Sequence, residues 1–317
     1  MAEVTDGVRW VGRLGCKWWG SEYAAKEPTF AMRLTISHLT HYDYSSEVQL
    51  LPHLLYLRPR DNPLMQVSGF AFSFSVPVRV DWMRDDFDNL PASVLFLESA
   101  TSLQIRSECE VTTADAPPFD FLIRDYAQRF PFVYEPLHRF NLGIYLTEPD
   151  PLTQAAVRSW LTQHLAVQQI DTISFLVALN HAVYDSITYR RRDEPGIQSA
   201  LQTLSLASGS CRDFAVLLVA CARTLGLAAR FVSGYLYDAS LVETMGGGDM
   251  HAWAEVFIPG AGWRGMDPTH GIFCDNTYVP VAHAVVAESV NPVQGAFHSA
   301  WPTTARLSVD VRVRCPS

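Results

Sequence analysis

The sequence predicts an α+β protein, in which an N-terminal antiparallel β domain precedes helices that pack on a second antiparallel sheet. Two observations predict this class. Residues 32–115 alternate apolar and polar side chains, which is the period of a strand. After the proline-rich boundary at 116–118, apolar spacing becomes helical, and alternating strands then follow the most apolar helix. A chain of 317 residues is long enough for two domains of ordinary size.

Composition narrows the classes of partner. The chain is 48% hydrophobic and 18% charged, which is typical of a folded globular protein. Its net charge of −9 argues against nucleic-acid binding, because phosphate contacts need clustered Lys and Arg. No apolar run reaches the length of a membrane span and no secretion signal is visible, so we predict no membrane partner.

Cysteine usage points to a reducing compartment. Six cysteines are scattered along the chain without a C-x-x-C pair, so neither a zinc site nor a redox motif is indicated. We therefore predict a cytoplasmic protein without a metal or another cofactor, and no calcium requirement.

In the N-terminal domain, alternation predicts strands near 32–44, 70–80, 94–97 and 103–111. Pro77 within the second of these strands indicates a sheet edge or a bulge. Residues 1–31 show no sustained period, so we expect an N-terminal extension that is poorly ordered or not native, with the β domain at 32–115.

The remaining residues, 116–317, form the predicted second domain. Helical spacing occurs after Asp150, near 173–184 and from Cys211 to Leu225, where Gly226 ends the helix. Residues 190–209 are predicted as a long loop. Strands are predicted at 231–237, 251–257 and 263–267, with a closing strand at 307–313.

Cys211 stands where a loop turns into an apolar helix. Ser210 fits the N-cap, and Asp213 follows three residues later, as in a capping box. The sulfur of the first helical residue would lie near unpaired N–H groups and the positive end of the helix dipole, which favour a thiolate. The backbone N–H of Cys211 is a natural oxyanion-hole donor.

A histidine and an aspartate follow on two strands that a short turn joins. His251 heads one strand, and Asp267 ends the next, after the turn at 259–262. Hairpin neighbours lie within ~5 Å, so the carboxylate could fix the tautomer of the imidazole. Together with Cys211, these residues predict a Cys-His-Asp triad for acyl transfer, in which the imidazole protonates the leaving amine.

Each residue has a simpler interpretation. Cys221, in the same helix, is predicted to be a buried apolar side chain, and Cys211 could be one too. His251 could be structural and Asp267 could only begin a turn. His270 is an alternative base, three residues beyond Asp267.

Three sequence blocks, 209–215 with 228–235, 251–256 and 262–269, resemble the bacterial form of the transglutaminase-like superfamily. The N-terminal half is similar to the β domain that precedes the catalytic domain in these proteins, so the resemblance covers residues 32–275. It implies a papain-like core, a catalytic role for Cys211, His251 and Asp267, and a protein or peptide substrate. The chain departs from the family at Ser210, Arg212 and Val216, where Val, Gln and His are common, and these departures could alter substrate entry.

The sequence therefore predicts a cysteine-dependent enzyme that acts on amide or isopeptide bonds, as a peptidase or amidase. Alternatives are a transglutaminase that joins glutamine side chains to amines, an acetyl-transfer enzyme with the same triad, and a binding module that retains the fold without catalysis. The loops at 190–209 and 238–250 are predicted to determine specificity.

Overall fold

A computed structural model describes residues 30–166, 169–192, 196–241 and 248–316. All but the last two residues of the expected N-terminal extension, 1–31, lie outside this part of the chain. Among the described helices, none combines the length and the apolar character that a membrane crossing needs.

The helices are short. In the sequence they lie between the N-terminal strands and the C-terminal strands. They are α1 (Pro136–Asn141), α2 (Pro151–His164), α3 (Thr172–Ser186), α4 (Ala200–Leu206) and α5 (Cys211–Thr224). Helix α2 begins as predicted, because the Asp150 carboxylate accepts the N–H groups of Leu152 and Thr153 and Pro151 occupies the first turn.

Strands lie on both sides of the helical segment in the described part of the chain. They are β1 (Phe30–Leu50), β2 (His53–Leu55), β3 (Met65–Phe74), β4 (Val78–Trp82), β5 (Ala92–Phe96), β6 (Ala100–Ala114), β7 (Arg129–Phe130), β8 (Ile170–Asp171), β9 (Thr188–Tyr189), β10 (Ser208–Gly209), β11 (Ala229–Tyr237), β12 (Gly248–Ile258), β13 (Gly262–Asp267), β14 (Ile272–Phe273), β15 (Tyr278–Ala284), β16 (Val293–Gln294), β17 (Phe297–His298) and β18 (Ala305–Arg314).

The N-terminal region consists of two packed antiparallel sheets. The first has the order β17-β1-β6-β3, with β18 also paired to β1, and the second has the order β16-β2-β5-β4. A core that includes Leu55, Val94, Leu103 and Ile105, all less than 1% exposed, contains residues from both sheets. The alternation that predicts these strands thus buries one face of each, as expected for a sheet packed on a sheet.

The single strand expected over Phe70–Val80 is wrong. Strand β3 ends at Phe74 and pairs with β6, whereas β4 begins at Val78 and pairs with β5 in the other sheet. Pro77 lies between them, and its lack of an N–H explains why the ladder stops there. The chain uses the break to pass from one sheet to the other.

The second region is built on an antiparallel sheet of order β14-β13-β12-β11-β15. Apolar residues of α2, α3 and α5 share a core with β12 side chains such as Ala254 and Val256. A second core joins β11 and β15 to residues of β1, β6 and β18 in the N-terminal sheet. The central sheet therefore packs against helices and against the N-terminal sheet, which confirms the predicted α+β class.

The closing strand expected at 307–313 forms, and its partner is a strand of the N-terminal sheet. Strand β18 pairs with β1 over ten residues, from Thr35 opposite Arg314 to Tyr44 opposite Ala305. The C-terminal end of the chain thus extends the N-terminal sheet. Alternation predicts that a segment is a strand and does not specify its partner. The limits 32–115 and 116–317 stay a prediction.

The long loop expected at 190–209 contains structure. Helix α4 begins after Ser199, whose hydroxyl accepts the Gln202 N–H at 3.2 Å, while the Gln202 side chain accepts the Ser199 N–H at 2.9 Å. This Ser-x-x-Gln capping box is a local signal that predicts a helix start and that our sequence analysis missed. Strand β10, at the end of the segment, pairs in parallel with β9, which directly precedes the segment.

Candidate active site

Cys211 is the first residue of α5, as predicted, and Ser210 is the N-cap. The Asp213 carboxylate accepts the backbone N–H of Ser210 at 2.8 Å and its hydroxyl at 2.9 Å. A side chain at Gly209 would bring a Cβ within 2.7 Å of the Asp213 Cβ, so the glycine is required where the chain enters the helix. Local sequence therefore fixes the position of the thiol.

Asp213 is completely buried, and its charge is compensated by a residue from the preceding segment. Arg192 Nη1 lies 3.1 and 3.0 Å from the two carboxylate oxygens, and the Gln198 N–H donates to Oδ1 at 2.7 Å. A buried carboxylate needs such partners because desolvation is costly. The pair ties the segment before α4 to the first turn of the nucleophile helix.

His251 lies on β12, and Asp267 ends β13, which pairs with β12 from Ile258 opposite Gly262 to Ala254 opposite Met266. His251 Nε2 donates to Asp267 Oδ2 at 2.7 Å, and both residues are buried. The Cys211 side chain lines the same cavity as His251, and it is among the groups that raise the pKa of the His251 ring. Because Nε2 is engaged by the carboxylate, Nδ1 is the ring nitrogen left for the sulfur. The three predicted residues are thus brought together in the predicted order.

Electrostatics favour the charged forms of the two buried partners. Burial alone would lower the pKa of His251, but the hydrogen bonds and charges of Asp267 and Cys211 outweigh it and raise that pKa. Burial alone would raise the pKa of Asp267, but hydrogen bonds from His251 and His270 hold it well below its ordinary value. An imidazolium beside a thiol is the environment that stabilises a thiolate.

Further donors, which the sequence analysis did not assign, also hold Asp267. The Tyr278 hydroxyl, from β15, donates to Oδ2 at 2.7 Å, and the Thr269 N–H donates to Oδ1 at 2.8 Å. The Asn180 amide, on α3, donates to the Asp267 carbonyl at 3.1 Å. Tyr278 and Asn180 come from separate elements, so no local spacing could have revealed them.

His270, the alternative base, contacts the same carboxylate oxygen as His251. Its Nδ1 lies 2.6 Å from Asp267 Oδ2, and its side chain is 45% exposed. The two histidines differ in their relation to the thiol: His251 lines the cavity that Cys211 also lines, whereas His270 is not among the residues of that lining. The arrangement favours His251 as the partner of the cysteine.

Trp253 lies two residues along the same strand from His251, with ring centroids 6.4 Å apart and planes inclined by 28°. Gly234 lies opposite His251 on β11. A Cβ there would approach the Trp253 ring to 2.6 Å and the Val279 carbonyl to 2.3 Å. The glycine therefore leaves the space that the Trp253 ring occupies next to His251.

His251, Asp267 and His270 also offer ligand atoms that lie within 4.8 Å of one another, a spacing that a metal ion could bridge. The three groups already satisfy each other as donors and acceptor. The prediction of a site without a metal or cofactor stays a prediction.

Cys211 and His251 open on a cavity of about 410 Å³. Its lining comes from the helix start, from β11 and β12, from residues 288–293, and from β1 and β18 of the N-terminal sheet. His38, Tyr42, Leu307 and Val309 belong to that sheet. The N-terminal domain therefore forms part of the wall beside the thiol, a role that its own sequence did not indicate.

The other cysteines differ from Cys211 in their surroundings. Cys221 is fully buried as predicted, and burial raises the pKa of its thiol. Burial also raises the pKa of Cys109, to about 12, and the pKa of Cys274. Within the described ranges the five cysteines are free thiols.

Comparison with known proteins supports the resemblance in both halves of the chain. Residues 161–268 match the transglutaminase-like superfamily, and residues 34–112 match the bacterial transglutaminase-like N-terminal region. Uncharacterised proteins of Mycobacterium tuberculosis and Mycobacterium bovis are each 26% identical over 291 residues, covering 88% of this chain and 92% of theirs.

The fold is also found in a solved structure from Cytophaga hutchinsonii, which is described provisionally as a cysteine protease. It superposes with a TM-score of 0.69 at 17% identity and covers 92% of both chains. At this identity the likeness concerns the fold. At the level of the family, these matches support a cysteine-dependent enzyme. The chain thus carries a region that matches the core of the transglutaminase-like superfamily, behind a region that matches the bacterial transglutaminase-like N-terminal region.

Proposed function

We propose that the protein is a cysteine-dependent peptidase or amidase, with Cys211 as the nucleophile, His251 as the general acid and base, and Asp267 as the group that orients His251. The observation that carries the proposal is the 2.7 Å hydrogen bond between His251 and buried Asp267, at a cavity that both Cys211 and His251 line.

In the first half-reaction the Cys211 thiolate attacks the carbonyl carbon of an amide, and a bond between sulfur and carbon forms. The C–N bond then breaks as the His251 imidazolium gives its proton to the leaving amine nitrogen. The products are a thioester on Cys211 and a free amine. The N–H of Cys211, at the helix start, is placed to donate to the developing oxyanion.

In the second half-reaction water attacks the thioester carbon and gives a proton to neutral His251. The bond between sulfur and carbon breaks, the acid product leaves, and the thiolate and imidazolium are restored. Throughout the cycle Asp267 keeps Nε2 of His251 protonated, so Nδ1 stays directed to the reacting atoms.

Hydrolysis is favoured over amine transfer because water needs no second binding site. The substrate is a protein or peptide that offers an amide or isopeptide bond, and the family resemblance supports this class. We also propose the cytoplasmic location expected from the cysteines.

The test is incubation with a peptide library, with and without a primary amine, followed by mass spectrometry. The proposal expects cleavage or deamidation that persists when the amine is present and disappears in Cys211→Ala. Cross-linked products that depend on the amine would instead establish a transferase. Absence of turnover of every class would overturn the enzymatic assignment.

A further inference from the structure

Arg212 directly follows the candidate nucleophile and lines the same cavity as Cys211 and His251. Its side chain is partly buried. Among residues in the described ranges, no hydrogen bond or ion pair engages its guanidinium. The guanidinium is partly buried, lines a cavity and has no partner among the described residues. It is therefore available to bind a ligand.

Nearby arginines show the contrast. Arg192 is paired with Asp213 and Arg230 with Glu255, while Arg223 donates to the carbonyls of Ala229 and Val285. The fold thus satisfies these guanidinium groups internally. Arg212 also departs from the family pattern, in which glutamine is common after the cysteine, so its charge is a feature of this chain's own cavity.

The remaining lining gives Arg212 a defined environment. Most of the cavity wall is apolar, with Tyr42, Ile197, Leu307 and Val309 among the contributors. Burial lowers the pKa of His38 to about 4, so this lining residue is neutral at pH 7. An apolar wall strengthens the interaction of a cation with an anionic ligand, because the local dielectric is lower than in water.

Glu288 is the other charged lining residue, apart from the histidines. It lies in a 3-10 helix at Ala287–Val290 and is exposed, so water screens its charge. No ion pair joins it to Arg212 in the described part of the chain. Arg212 is therefore the positively charged group that would bind an anionic ligand beside the thiol.

From these contacts we infer that Arg212 is a specificity-determining residue that binds a carboxylate of the acyl donor next to the scissile bond. The inference rests on the proposed function and deepens it. A guanidinium binds a carboxylate through two parallel hydrogen bonds. In a peptide substrate the carboxylate comes from an acidic side chain or from a free C-terminus.

Two alkylating reagents test the anion site without a known substrate. Iodoacetate and iodoacetamide both form a bond between the Cys211 sulfur and carbon as iodide leaves, but only iodoacetate carries a carboxylate. The rate constant at Cys211 is measured for each reagent by peptide mass spectrometry. The variants are Arg212→Gln, Arg212→Lys and, as a control that also removes one exposed positive charge, Arg139→Gln.

We expect the ratio of the two rate constants, iodoacetate over iodoacetamide, to fall about two- to fivefold in Arg212→Gln. This range corresponds to the loss of a partly exposed ion pair. In Arg212→Lys this ratio of rate constants should fall less than in Arg212→Gln. In Arg139→Gln it should not change. An unchanged ratio in Arg212→Gln overturns the inference. If Arg212→Gln slows the reactions with both reagents equally, the inference is also overturned, because Arg212 would then only stabilise the thiolate.

If the proposed function is wrong, the result is different: in the unaltered protein, neither reagent modifies Cys211 faster than it modifies exposed Cys315. Once a cleavable peptide is found, matched peptides bearing Glu, Gln, a free C-terminus or an amidated C-terminus identify the source of the carboxylate. Arg212→Gln should raise KM for the acidic peptide alone. An equal loss for the acidic and neutral peptides contradicts the inference.

Discussion

The Tyr278 hydroxyl donates to Asp267 Oδ2 at 2.7 Å, the same oxygen that accepts Nε2 of His251. Tyr278 reaches this position from β15, which pairs with β11 and not with β13, the strand of Asp267. The order of the central sheet thus brings the Tyr278 phenol to the Asp267 carboxylate, which also holds the His251 imidazole.

Replacing Tyr278 with Phe removes this donor and leaves the ring in place. A buried hydrogen bond to a charged group contributes about 2 kcal/mol, so the free energy of unfolding should fall by about that amount. The kcat should fall less than in Asp267→Asn, because His251 keeps its carboxylate. Urea unfolding and steady-state kinetics check both points. The control is Tyr184→Phe, at a tyrosine that is 46% exposed, and an equal loss there would contradict the assignment.

The site shows how far sequence reasoning extends. Cys211, His251 and Asp267 stand in local motifs, and the turn between β12 and β13 predicts that the last two are neighbours. Tyr278 and Asn180 could not be predicted, because their proximity depends on strand order and helix docking. The pairing of β18 with β1 was missed for the same reason: alternation defines a strand and its buried face but not the strand beside it.

The two histidines on Asp267 should differ in their effects on catalysis. His251→Gln removes the proposed base, which lines the cavity beside Cys211, and should lower kcat/KM by about 10²–10⁴-fold. His270→Gln removes only a second donor to Asp267 and should lower kcat/KM by less than about tenfold. Kinetics on one cleavable peptide compare them directly. A larger loss in His270→Gln would make His270 the base.

Stability should depend on pH through His251 and Asp267. The pKa of His251 is raised in the folded protein, so its contribution is complete below about pH 6.5 and is lost as pH rises above that value. The pKa of Asp267 is lowered, so its contribution is present above about pH 4 and is lost at lower pH.

The urea midpoint of the unaltered protein should therefore exceed that of His251→Gln most between about pH 4 and 6.5. The difference should narrow steadily as pH rises from 6.5 toward 10. A difference that grows over this alkaline range would show that His251 is held neutral in the folded state.

Asp213→Asn should destabilise the protein, because it removes the completely buried charge that pairs with Arg192 and accepts the backbone N–H groups of Gln198 and Ser210. Breaking a buried pair by altering one partner costs about 3 kcal/mol or more. The matched control is Asp185→Asn, at an exposed residue of α3, where the free energy of unfolding should change by less than about 0.5 kcal/mol. Similar urea midpoints for both variants would contradict a structural role for the pair.

The N-terminal sheet should influence substrate binding through the cavity wall. Val309, 49% exposed on β18, lines the cavity, so Val309→Arg should raise KM while kcat changes by less than about twofold. Val133→Arg, at a residue that is 73% exposed and does not line this cavity, serves as the control. Unchanged KM in Val309→Arg would mean that the substrate does not contact this sheet.

The central claim is that His251, held by Asp267, activates the thiol of Cys211. The most direct measurement is the rate of iodoacetamide modification at Cys211 and at exposed Cys315 as a function of pH, in the unaltered protein and in His251→Gln. An ordinary thiol, with a pKa of about 8.5, is protonated at pH 6. The account predicts that Cys211 reacts at least about tenfold faster than Cys315 at pH 6, and that His251→Gln abolishes the advantage. Equal rates at the two cysteines across the whole pH range would contradict it.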